Sequence, residues 1–477
     1  MTTFRSMSNG ADSVFWSSSV GSHVRNEVLG GQIDPGSCAL DNAAGVIPQI
    51  GEVDRQEPSP RKRWQRRIDF AATTGDQALV SVCNFSVAII VGRILGPAGF
   101  GLFTLIWSVA LLLNVAQQSF VIAPLFTFTA MFLPAERPRY FYRVLVVQIL
   151  FACVACILGG LSFWICVAAG LLSPDLKILI LPIAAACFAF QLQEFLRRLM
   201  QAARAPIVAF FCDLLTYGLQ IGLLVRELFV HHSNLSAIFL ILGGSWLIGC
   251  SFFLVVGRFL AVGKTQLIET ARMHFSFGFS VALTNMSQWF ASYGTLYLVG
   301  VVLSPAAVGN IRAAISVVAP LNVLAMGIQT YLSIEAAHVY QAVGMAGLVS
   351  LLRRATLRFL AACAPGVLIC IWARPLMHFL LGPRFVVPTS WVVELFFCVV
   401  LGAVFGMTIV HFKTIARPIL GAFAAALGLV ITLGSTGLLV FKVGAAAAPA
   451  GLLIGQICTL GLAAYFWIRS AKDSKVV

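Results

Sequence analysis

The sequence predicts an all-α polytopic membrane protein of twelve transmembrane helices, arranged as two six-helix bundles in a parallel pseudo-two-fold repeat. Three observations predict this. Of 477 residues, 59% are hydrophobic and 10% charged, against about 25% charged in soluble domains, so the bilayer must solvate most of the chain. Apolar runs able to cross a ~30 Å hydrocarbon layer recur along its length. A stretch of the first half also returns in the second at a constant offset.

Taken in order, residues 1–60 come first. SMSNGADSVFWSSSVGS and GEVDRQEPSP are polar and without sustained period, and lack the n-region and h-region of a signal peptide. A disordered cytoplasmic tail is expected there. The N-terminal bundle, 61–257, holds spans near 72–95, 100–128, 144–172, 176–197, 206–225 and 236–257. A basic linker, 258–274, follows. The C-terminal bundle, 275–468, holds spans near 275–303, 307–333, 355–373, 388–410, 418–441 and 445–468, and 469–477 is a short tail. In VGRILGPAGFGLFTL, Gly96 ends the first helix, Pro97 cannot continue it, and Gly99 and Gly101 let the chain reverse. A phosphate-cradling loop needs a preceding strand and another glycine spacing.

Charge sets the expected orientation. With the N-terminus in the cytoplasm, the inside segments from Arg61 to Lys475 carry 22 lysines and arginines, and the outside segments carry six. This positive-inside bias places both termini in the cytoplasm. It also accounts for most of the net charge of +14, with anionic inner-leaflet lipids as the partner and no nucleic acid. The twelve cysteines fall almost entirely within apolar spans, where a thiol acts as a small hydrophobe. Cys153 and Cys156 lie mid-span without a second pair or a nearby His, so neither a metal nor another cofactor is expected.

The repeat is specific. Val91–Asn114 laid over Val299–Asn322, an offset of 208 without gaps, matches ten of 24 residues, among them Pro97 with Pro305 and Gly101 with Gly309. Six helices separate the copies, so both enter the membrane from the same side, as in a parallel duplication about an axis along the membrane normal. Two such bundles leave a cleft that opens alternately to each side. A static scaffold is the plainer reading.

VGRILGPAGFGLFTL, the six-plus-six plan and the cytoplasmic termini resemble the polysaccharide transporters. Their first helix ends in the form ARLLGPxxFG. That family includes the Wzx-like flippases for O-antigen and exopolysaccharide units and belongs to the multidrug/oligosaccharidyl-lipid/polysaccharide exporter superfamily. The resemblance implies movement of an undecaprenyl-pyrophosphate-linked oligosaccharide across the bacterial inner membrane, beside polysaccharide polymerase machinery. The tail is longer than is usual there.

Such a substrate needs a hydrated cavity with cationic and hydrogen-bonding groups, and charges within spans usually face the bundle interior. Arg312 in the eighth helix and Arg93 at the outer end of the first are candidates for the pyrophosphate; snorkelling to headgroups competes. Asn84, Gln117, Asn285, Gln288 and Trp289 are candidate lining residues. Asn285 and Gln288 share one face of the seventh helix, with Trp289 adjoining as a stacking surface; helix–helix hydrogen bonding is the alternative. Asp76, Asp213 and Glu394 are candidates for ion coupling. Glu194 is expected to pair locally with Arg197 and Arg198 at i+3 and i+4.

A multidrug or small-cation exporter of the same superfamily is the competing function, and it calls for an acidic cavity. A membrane enzyme of the same pathway calls for catalytic groups outside. The longest outside loop, Arg374–Val387, carries no carboxylate.

Overall fold

The computed structural model describes residues 60–129, 131–168, 174–230, 234–256, 264–415 and 417–473. Lys62–Val477 is one unit. The expected tail, apart from Pro60, lies outside the described residues, as do 258–263 of the expected linker and 474–477 of the expected C-terminal tail. The described residues are helical throughout, with turns between, and hold no strand. The chain is an all-α polytopic membrane protein.

Among the described residues, nine helices are long and apolar enough to cross a bilayer. Two of these, Gly75–Thr129 and Ile419–Arg469, run to 55 and 51 residues, where one crossing takes about 20. Each folds back on itself. The first turns at Gly96, whose φ of 66° suits a residue without Cβ. Asn84 and Leu111 line one cavity on either side of that turn, although a straight helix would hold them roughly 40 Å apart. The second turns at Gly444, and three pairs meet across it in mirror register: Gly428 with Thr459, Thr432 with Gly455, and Thr436 with Gly451. Small residues there bring two backbones together, the means by which helices associate in lipid. The twelfth crossing is Lys264–Val302, whose His274, Asn285, Ser287 and Gln288 dilute its hydropathy.

The crossings are therefore α1 (60–95), α2 (97–129), α3 (Arg137–Ala168), α4 (Ile180–Ala202), α5 (Pro206–Val230), α6 (Leu235–Val256) and α7 (Lys264–Val302). There follow α8 (305–343), α9 (345–363), α10 (Thr389–Thr414), α11 (Pro418–Val443) and α12 (Ala447–Asp473). Helices α8 and α9 reverse at Gly344. Across that turn Gln329 Nε2 donates to the Ala403 carbonyl and Thr356 Oγ1 to Met407 Sδ, on adjacent turns of α10. Two sequence expectations change. Helix α7 begins at Lys264, within the segment expected as linker. The stretch expected as an outside loop holds a short helix, Ala373–Leu381.

The end carrying Gly96 and Gly444 is called here the hairpin end, and the opposite one, with Arg137, Arg139 and Arg143, the basic end. At the hairpin end the two sequence copies touch reciprocally. A Cβ on Gly101 would fall on the carbonyl oxygen of Pro305, and a Cβ on Gly309 on that of Pro97. Two equivalent contacts, exchanged between equivalent residues, are what a two-fold axis requires. The apolar core there joins both halves: Val91, Phe100, Phe103 and Ile106 pack with Val308, Ile311, Leu381 and Phe385.

Helix α7 also lies along α2. Tyr297 Oη donates to the Leu105 carbonyl at 2.8 Å and Trp289 Nε1 to the Ser108 carbonyl at 3.1 Å. Asn285 Nδ2 reaches Ser119 Oγ at 3.2 Å. Phe275 stacks on Phe120, and His274 Nε2 meets Tyr140 Oη of α3 at 2.9 Å.

Candidate functional site

Two polar assemblies lie inside the helices, and the sequence candidates divide between them. The first is a cavity of about 200 Å³ on the seam between the halves. Helix α1 supplies Asn84, Val87 and Ala88. Phe103 and Trp107 of α2, Phe190 of α4 and Trp246 of α6 form an aromatic wall. Thr104 of α2, Gln220 of α5, Tyr293 of α7 and Arg312 of α8 complete the polar lining. Trp107 and Trp246 stack at 5.3 Å between ring centroids, and Phe190 lies 5.1 Å from each. Arg312, half-buried, has no side-chain partner among the described residues. Among the described residues, no carboxylate lines the cavity.

The second assembly is a buried ion cluster in the N-terminal half, toward the basic end. Arg197 of α4 is its centre. Its guanidinium stands 3.7 Å from Asp76 Oδ2 of α1 and 3.6 Å from Asp213 Oδ2 of α5, and it pairs with Glu194 on its own helix. Arg198 Nε adds a 2.9 Å bond to Glu194 Oε1, which Gln118 Nε2 also reaches. Gln193 Nε2 donates to Asp213 Oδ1 at 2.6 Å, and Gln201 Nε2 to Asp76 Oδ2 at 3.1 Å. The local pairing expected for Glu194 is present.

The remaining candidates stand apart from the cavity. Gln117 is buried, its amide donating to the Gln191 carbonyl of α4. Trp289 is buried against α2, with its ring stacked on Tyr293 at 5.4 Å. Asn285 holds Ser119, and Gln288 is exposed. Glu394, half-buried in α10, leaves Oε2 without a hydrogen-bond partner among the described residues.

Arg93 does not join Arg312. Its Nε donates at 2.6 Å to the Leu380 carbonyl, and its terminal nitrogen to the Phe379 carbonyl. These are C-terminal carbonyls of the helix Ala373–Leu381, which lack intrahelical donors and attract a cation. Arg93 thus fastens the first half to the second at the hairpin end. Arg93→Ala should speed alkylation of a cysteine placed at Thr104, a buried cavity-lining position of α2, in a cysteine-free background, at least about tenfold, the scale of losing one of the two hydrogen bonds that this charged group makes. An unchanged rate would show that the fastening is dispensable.

Reading residues one helix at a time missed the cluster's centre and the aromatic wall. One signal was available: the α4–α5 turn at Ala203–Ala205 mirrors Arg197 onto Asp213, eight positions either side of Ala205. Nothing comparable marks Gln220 or Trp246 as facing a cavity.

No family model matches the sequence, and no curated protein does. Solved structures do. An inward-facing multidrug resistance MATE transporter of the MOP superfamily is similar at a TM-score of 0.66 and 15% identity, over 84% of this chain and 96% of that one. The lipid II flippase MurJ, inward closed, is similar at 0.65 and 11%, over 83% and 87%. The eukaryotic MATE transporter AtDTX14 is similar at 0.62 and 15%, over 85% and 96%. These neighbours are transporters and flippases rather than enzymes. The chain shares the fold of these solved transporters.

Proposed function

We propose that the protein is a flippase for a lipid-linked oligosaccharide, an O-antigen, exopolysaccharide or capsule repeat unit on an undecaprenyl-pyrophosphate carrier. It works in the bacterial inner membrane by alternating access, with the basic end and both termini in the cytoplasm. The observation that carries the reading is Arg312: a guanidinium that, among the described residues, has no partner and lines a seam cavity without a carboxylate. An unpaired cation within a bundle is costly unless an anionic ligand or water meets it, and a diphosphate suits a guanidinium fork.

The same cavity speaks against a cation exporter. The N-terminal carboxylates Asp76, Glu194 and Asp213 are engaged by Arg197 and so supply no acidic lining. Of the three candidates for ion coupling, Glu394 is then the one without a cationic partner among the described residues, and we assign coupling there. Alternating access fits the reciprocal contact at the hairpin end, which is one closed state of a two-fold pair. The neighbour MurJ, a lipid II flippase, shares the fold.

Arg312→Ala should leave the protein folded and inserted but cut surface polymer at least about tenfold in a complemented deletion strain, the loss of one charge-assisted contact of ~1.5–3 kcal/mol. Lipid-linked oligosaccharide should accumulate on the inner leaflet. Arg312→Lys keeps the charge without the fork and should be intermediate. Normal polymer with Arg312→Ala, or a drug-sensitive deletion strain with normal polymer, overturns the reading.

A further inference from the structure

The seam cavity has features that a pyrophosphate alone does not explain. Gln220 is 1% exposed and leaves both Nε2 and Oε1 without a partner among the described residues; Trp246 is 3% exposed and leaves Nε1 unpaired. Buried polar groups are almost always satisfied, and these lie in a wall otherwise made of rings. Neither polar group joins helices by a hydrogen bond among the described residues, although the Trp246 ring itself packs on Trp107 and Phe190. Both line the cavity that Arg312 lines from the opposite half.

We propose that this cavity seats one neutral sugar ring, stacked against the Trp107–Trp246 wall and hydrogen-bonded by the Gln220 amide and the Trp246 indole N–H. The inference rests on the flippase reading and names the part of the substrate this site takes. Size comes first: about 200 Å³ is below the ~300–1,000 Å³ that encloses a drug-sized ligand, so the cavity suits a single ring. Chemistry comes next. A pyranose has C–H bonds on its faces and hydroxyl or acetamido groups around its edge. The faces match flat aromatic side chains, and the edge matches a site offering amide donors, an amide acceptor and an indole donor. A purely aromatic guest would cover the wall but leave Gln220 and Trp246 unpaired. A cationic amphiphile would meet Arg312 with no carboxylate to offset it. Arg312 then marks the side on which the anionic part of the same ligand lies. Asn84, exposed on α1, adds an amide to the lining.

The test uses the full-length protein in lipid nanodiscs and three probes: farnesyl diphosphate, farnesyl diphosphate bearing N-acetylglucosamine, and tetraphenylphosphonium. Binding is read by calorimetry, with thermal stability measured on every variant. The glycosylated probe should bind about tenfold more tightly than the bare diphosphate, the scale of one or two net hydrogen bonds. Gln220→Leu should cut that preference at least about threefold while leaving bare diphosphate affinity unchanged. Trp246→Phe, which keeps a ring and removes the N–H, should reduce the preference about threefold, a fraction of one such bond. Arg312→Ala should weaken both diphosphates by a similar factor. Equal binding of the two diphosphates, or a preference that Gln220→Leu leaves undiminished, overturns the sugar site and leaves the flippase reading standing. Binding of tetraphenylphosphonium alone overturns both.

Discussion

Replacing Arg197 with leucine is expected to destabilise the protein by about 3–5 kcal/mol, the range for removing one partner of a buried ion pair. Arg197 is 3% exposed and is the cation shared by Asp76, Glu194 and Asp213 from three helices. Arg198 reaches Glu194, and no ion pair links it to either aspartate among the described residues. Leucine therefore leaves two aspartates buried without a counter-charge in an interior surrounded by lipid. Lysine keeps the charge but is a point donor on a flexible stem, unable to face three carboxylates with a planar fork, so Arg197→Lys should fall between. The decisive variant is a double one. Asp213→Asn added to Arg197→Leu removes one uncompensated charge and should recover a substantial part of the loss, as expected of residues that share a network. Melting of the detergent-solubilised protein and the yield of monodisperse material read this directly. If Arg197→Leu melts like the parent, or if Asp213→Asn makes it worse, the cluster is not held by Arg197.

The same cluster shows where sequence reading reaches and where it stops. The turn at Gly96 was legible because Gly–Pro has one local consequence whatever surrounds it. The repeat was legible because identical residues at one offset need no knowledge of packing. Helix α7 was legible as a span, but not its start, because Lys264 to His274 is polar enough to read as a linker while His274 in fact docks on Tyr140. The polar residues of the spans were visible, and their facing partners were not. Gln117, Asn285 and Trp289 each meet a neighbouring helix, the competing role for polar groups in membranes. Arg93 was read as a ligand contact, yet the carbonyls it meets belong to a short helix nearly 290 residues away, formed where an outside loop was expected. Arg312 and Asn84 do line the seam cavity. Gln220, Trp246 and the ring wall were out of reach, since helical periodicity tells which residues share a face and not what that face meets.

Gly101→Ala and Gly309→Ala, 208 residues apart in sequence, are expected to have nearly the same effect. Each methyl group would collide with the carbonyl of a proline in the other copy, Pro305 or Pro97. A backbone oxygen cannot swing aside as the tip of a side chain can. Overpacking of this kind costs typically ~1–3 kcal/mol, and here the strain falls between the halves and not inside either one. Each half should therefore stay folded while the hairpin end closes less completely. A cysteine at Thr104 should become more reactive, and transport that depends on closing this end should fall several-fold. Gly244→Ala is the control, since a Cβ there meets open space. The double variant Gly101→Ala/Gly309→Ala separates this account from two unrelated packing defects. Once the first methyl has pushed the copies apart, the second enters space already opened, so the combined loss should be smaller than the sum. Additive losses, or one substitution harmful and its counterpart silent, would mean that the two contacts are not halves of one symmetric joint. The bundles would then have to turn on some other part of the seam, with α7 lying along α2 as the remaining pivot.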